Sequence, residues 1–221
     1  MPKIFQSIRE NSVKSGGLKK YLIYALGEII LVIIGILVAL NINNLNEEHK
    51  EEKQQHAILA SIKNELNTNL NLLQKAHKRR LLFYKGLDSI TEHMTEDLKK
   101  VLLHNIPEDN NKLSGWTGLN PISLNGAMFE TAKYSGILTN IDVELLQNLS
   151  YTYNKQQEIN TIGNTFINRF FDMDTNKDIN YDEYIGFMWR IREEFFGAQF
   201  LLMDDYKSSI ELIENKIKIT S

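Results

Sequence analysis

The side chain whose setting most clearly implies chemistry is Glu28, the single charge in the run YLIYALGEIILVIIGILVAL from Tyr21 to Leu40. A carboxyl among leucine, isoleucine and valine has two uses. Copies from several chains can line a pathway and relay protons or cations, or the group can hydrogen-bond between helices and hold them together. By helical rise it lies about 10 Å inside the start of the run, where an ionisable group faces protein or water rather than lipid. Gly35 and Ala39 fall within about 20° of Glu28 around a helix. Their small-x-x-x-small spacing lets a second backbone come close. One span per chain places the partner on another chain, so a homo-oligomer or a complex with another membrane protein is expected.

The element that must carry this stripe is a transmembrane helix. Twenty residues at about 1.5 Å each cover the ~30 Å hydrocarbon core. The run is longer than the apolar part of a cleaved signal peptide and exits into NINNLNEEHKEE without a small-residue cleavage site. Residues 1–20 carry Lys3, Arg9, Lys14, Lys19 and Lys20 against Glu10 alone. That basic excess predicts a cytoplasmic N-terminus. The expected location is the inner (cytoplasmic) membrane, single-pass, with the C-terminal domain in the periplasm. From Asn41 onward acidic residues outnumber basic ones, twenty-six to twenty, which gives no basic face for nucleic acid. The chain has no cysteine, excluding disulfides and thiolate metal sites.

The predicted fold class is all-α: a transmembrane helix over 21–42 continuing into a long helix, with an extramembrane antiparallel helical bundle. Leu59, Ile62, Leu66, Leu70 and Leu73, and then Phe83, Leu87, Ile90 and Met94, recur within each run in steps of three and four, predicting an amphipathic, coiled-coil-like helix over 43–104. Gly86 is the one glycine in it. Residues 105–125 hold two of the three prolines and read as a loop, with Trp116 pinning it to the bundle. The bundle then fills 126–221. A short helix ends at Gly136, Asn140 and Asp142 cap the next one, and a last helical region spans roughly 184–217. No enzyme is expected. His49, His56, His77, His93 and His104 sit on the long helix with no paired metal spacing, and neither a nucleophile elbow nor a phosphate loop is present.

The segment GEIILVIIGILVALNINNLNEE, after a basic KKYLIYAL, resembles the opening of an uncharacterised single-span membrane family of Bacteroidetes-type bacteria. Its members commonly read GEI-x-LV-x-IGI-x-x-AL-x-INNWNE there, and Leu45 stands where they have Trp. The later segment MFETAKYSGILTNIDVELLQNLSYTYN is also similar, so the resemblance spans most of the chain. It implies a membrane anchor and a helical periplasmic domain, and carries no activity.

A second resemblance is local. DMDTNKDINYDE, residues 172–183, is similar to the calcium loop of the EF-hand family. The alignment implies Asp172, Asp174, Asn176, Asp178 and Glu183 as Ca2+ ligands, with Ile179 and Asn180 at the loop's eighth and ninth positions. Lys177 departs from the pattern, standing where glycine is usual, and no second loop follows. The reading that unites these features is a membrane-anchored oligomeric scaffold or sensor whose outward helical domain binds calcium. The competing reading is a channel or ion-motor subunit that uses Glu28.

Overall fold

The computed structural model describes residues 18–103, 114–119, 122–176 and 179–220. Most of the basic segment 1–20, His104, and the ligand candidate Asp178 lie outside them. Among the described residues the fold is all-α apart from one two-residue ladder. In chain order come α1 (Leu18–Glu92), α2 (Glu96–Lys99), β1 (Leu102–Leu103), α3 (Ala127–Tyr134), a 3-10 turn (Ile137–Asn140) and α4 (Val143–Asn176). Then follow β2 (Ile179–Asn180), α5 (Tyr181–Arg190), a π segment (Ile191–Phe196) and α6 (Gly197–Thr220). Two compact units result, residues 1–53 and residues 54–221.

In the first unit α1 buries no side chain among the described residues. The large apolar residues from Leu22 to Leu45 are all exposed, between 48% and 68%. Such a surface is costly in water and suits hydrocarbon. Among the described residues this is the one helix long and apolar enough to cross a membrane.

The second unit is a three-helix bundle. Its first helix is the rest of α1, its second α4, and its third the run α5–π–α6. Lys63 meets Glu214, Arg80 meets Gln199, and Trp189 donates to Thr91, so the third helix runs antiparallel to α1. It is antiparallel to α4 as well, through Lys155–Asp205 and Thr152–Ser209. In contrast, α1 and α4 are parallel, with Glu65 beside Tyr153 and Asn69 beside Gln156. The expected antiparallel bundle is thus correct for two of its three pairs. Parallel neighbours require a chain return, and the chain between Ser114 and Met128 supplies it.

Near both ends of that return the described residues lie on α1. Ser114 sits on Gly86, Gly115 on Leu82 and Phe83, Asn125 on Asn69, and Met128 on Glu65. The helical distance from residue 86 to 65 is about 32 Å, within reach of fourteen extended residues. Gly86 is required because a Cβ would come 2.9 Å from the Ser114 carbonyl oxygen. Gly115 needs its absent side chain twice over: its φ is +75° and a Cβ would lie 2.5 Å from Phe83 N. The Trp116 ring packs at a tilt against Phe83 at 5.0 Å and Phe170 at 6.2 Å, so the expected pinning of the loop is seen.

The long helix ends at Glu92 rather than near His104. Thr95, in extended conformation, accepts from Leu98 N and starts α2, which turns the chain away. Leu103 then pairs with Ile179 and Leu102 with Asn180, a ladder too short to show as alternation in the sequence. The short helix ends before Gly136, at φ +73°. Asp142 caps α4 by accepting from Leu145 N at 2.9 Å, and that bond holds its carboxyl below the usual carboxylate range.

Candidate functional site

Three groups of residues invite a functional reading, and they differ in how completely the chain itself satisfies them. The first is the stripe of Glu28, Gly35 and Ala39. All three are on the exposed helix of the first unit, and a Cβ added at Gly35 would meet nothing within 4 Å. Among the described residues the chain provides no neighbour for this stripe.

The second is the segment 172–183. The helix α4 continues to Asn176, so Asp172, Asp174 and Asn176 lie on helical backbone where a loop was expected. Positions two apart on a helix are about 200° from each other around the axis, so helical backbone sets the middle one of these three positions across the axis from the other two. Asn180 accepts from Glu183 N at 2.9 Å and caps α5. Glu183 is exposed in the first turn of that helix. Among the described residues no cluster of three or more His, Cys, Asp or Glu side chains is placed to hold a metal. For this segment to make a calcium loop, a turn of α4 would have to unwind.

The third group is one that the sequence pattern did not single out. Glu65, Asn69, Tyr153, Gln156 and Tyr206 form a buried polar network at the centre of the bundle. Glu65 Oε1 accepts from Tyr153 OH at 2.8 Å, and its Oε2 from Met128 N at 3.0 Å. Gln156 Oε1 accepts from Tyr206 OH at 2.6 Å and from Asn69 Nδ2 at 3.3 Å. Its amide nitrogen donates to the carbonyls of Leu124 and Asn125. Burial, reinforced at Tyr153 by the Glu65 carboxylate, pushes both phenols well above their usual range. They stay protonated donors at neutral pH.

Further along α1, Arg80 donates to Gln199 at 2.7 Å and lies 3.5 Å above the Phe196 ring. Burial draws its pKa down to about 10, so it remains charged at pH 7 and holds its place by hydrogen bond and cation–π contact. No buried side-chain nitrogen or oxygen among the described residues lacks a partner. A signal for this group was present: Asn69 and Arg80 occupy seam places in the series 59, 62, 66, 69, 73, 76, 80, 83, 87. Polar residues at seam positions fix register at some cost in stability.

Fold and site together define an all-α chain that has, among the described residues, one helix long and apolar enough to span a membrane and a helical bundle whose buried polar groups satisfy one another. The model of a family of unknown function (DUF6090) matches residues 28–104. The match begins at Glu28 and takes in the rest of the apolar run and the bundle's first helix. It stops short of residues 128–154, so the likeness read for that later segment has no counterpart in it. No curated protein and no solved structure matches the chain.

Proposed function

We propose that the protein is a membrane-anchored, oligomeric scaffold or sensor without enzymatic activity. Its single span sits in the inner membrane, the basic N-terminus stays in the cytoplasm, and the bundle faces the periplasm. The observation that carries this reading is the bare stripe in the first unit. Glu28, Gly35 and Ala39 share one face of an apolar helix, and nothing among the described residues covers them. A carboxyl at that depth favours a protein neighbour over acyl chains, and small residues beside it favour a close one. The hydrogen bonds that the buried polar groups of the bundle make with one another support a structural role for them.

The deciding experiment is the mass of the full chain in detergent, measured natively. An oligomer for the parent and a monomer for Gly35→Ile support the proposal; a monomer for the parent overturns it. Because the sequence lacks cysteine, single cysteines at Ser15 and Ser208 report sidedness cleanly. Ser208→Cys should label from outside the inner membrane and Ser15→Cys only after permeabilisation. The channel reading is separated by Glu28→Gln in liposomes: proton or cation flux in the parent, lost in the variant, would favour a pore over a scaffold.

Calcium enters the proposal in one form only. Loading of 172–183 would unwind the last turn of α4, and at extracellular-type affinities it would need about 10⁻⁴–10⁻³ M ion.

A further inference from the structure

A cleft of about 310 Å3 opens in the second unit between α4 and the run from α5 into the π segment. Ile162, Phe166 and Arg169 line one wall, at helical steps that put them on one face of α4. Phe187, Arg190 and Glu194 line the other. The floor is aromatic: Phe166 and Phe187 are nearly buried, their ring centroids 5.9 Å apart. Arg169 and Arg190 are exposed at the rim, and among the described residues neither is in an ion pair or side-chain hydrogen bond. Two such guanidiniums against the one carboxylate of Glu194 leave the rim net positive.

The local fold accounts for the opening. Phe195 lies over Gly163, where a Cβ would come 2.7 Å from its ring. This contact seats the π segment against α4 and leaves Glu194 beside the cleft. Segments of π geometry occur mostly as short interruptions of α-helices, frequently at functional sites. The volume falls at the lower end for small-molecule pockets and holds about ten groups the size of water. An aromatic floor asks for an apolar body, and paired guanidiniums ask for a planar anion that accepts bidentate hydrogen bonds.

We infer that this cleft binds a small apolar carboxylic acid, its chain on Phe166 and Phe187 and its carboxylate between Arg169 and Arg190. The inference depends on neither the anchoring nor the oligomerisation proposed above. It is tested by calorimetric titration of octanoate into the full chain in lipid nanodiscs, with protein-free nanodiscs titrated in parallel to subtract uptake by lipid. Saturable binding in excess of that lipid uptake is expected. The double variant Arg169→Gln/Arg190→Gln should bind at least ten-fold more weakly, as should the neutral octanamide with the parent protein. Thr165→Trp, which fills the mouth of the cleft from an exposed position, should abolish binding with an unchanged melting temperature. Heat equal to that of protein-free nanodiscs, undiminished binding by either variant, or tighter binding of octylammonium than octanoate would each overturn the assignment.

Discussion

Asn69 holds Asn125 at both ends of its backbone. The Asn125 N–H donates to Asn69 Oδ1 at 3.0 Å, and Asn69 Nδ2 donates to the Asn125 carbonyl at 2.7 Å. One side chain on the long helix thereby takes the place of a strand partner for the returning chain. It fixes where that chain turns into α3, and so where α4 begins.

The first prediction follows from that clamp. Asn69→Leu removes both bonds and leaves a backbone donor without its partner and Gln156 without one of its donors. Each buried unsatisfied group costs about 1–3 kcal/mol. Urea denaturation followed by tryptophan fluorescence should show a loss of at least about 2 kcal/mol. A loss below about 0.5 kcal/mol, the ordinary range for a surface substitution, would mean the clamp is not buried in solution.

Gly115 and Gly118 give a matched pair. Both have positive φ, +75° and +85°, but only at Gly115 would a Cβ strike the backbone of α1. Gly118→Ala should cost about 1–2 kcal/mol from the left-handed conformation alone. Gly115→Ala carries that cost plus displacement of the return segment, and should destabilise clearly more. Equal effects in thermal melts would show that the segment does not lie on the helix.

His77 sets an acid limit. Its ring packs at 4.9 Å from Phe200 and 6.1 Å from Tyr84. Partial burial, with Arg80 adding to it, lowers its pKa below 6.5. A base with a depressed folded-state pKa binds protons more readily when unfolded. The associated stability is therefore present above about pH 6.5 and is lost as pH falls through the folded value. The melting temperature of the parent should fall between about pH 7.5 and pH 5, and His77→Phe should show a smaller fall, read by circular dichroism.

Gly35→Ile tests association without touching the bundle. Because a Cβ there meets nothing within 4 Å among the described residues, the melting transition of the bundle should not move. Disulfide crosslinking through an Ala39→Cys reporter should drop by more than half in the double variant. Crosslinking that persists would place the contact elsewhere.

Calcium loading has a specific signature. It must convert helical residues 172–176 into loop, so millimolar Ca2+ should lower helicity by about one turn while raising the melting temperature. Glu183→Gln should remove both effects. Neither change appearing would leave the segment an acidic helix end.

Local periodicity alone determines much of this protein. The apolar run from Tyr21 to Leu40, the three-four seam from Leu59 to Leu87, the stop at Gly136 and the cap at Asp142 each depend on neighbours within a few residues, and the order of residues states those directly. The carboxyl at Glu28 is legible for the same reason, because one charge among nineteen uncharged residues needs no tertiary context to stand out. Only the tertiary structure decided what depends on residues far apart in the chain. The parallel pairing of α1 with α4, the purpose of Gly86, the bond from Tyr153 to Glu65 eighty-eight residues away, and the cleft between Phe166 and Phe187 all arise from packing. So does the continuation of α4 through Asp172, where the sequence spelled a loop: the pattern of oxygens is a property of residue order, whereas their convergence is a property of backbone shape.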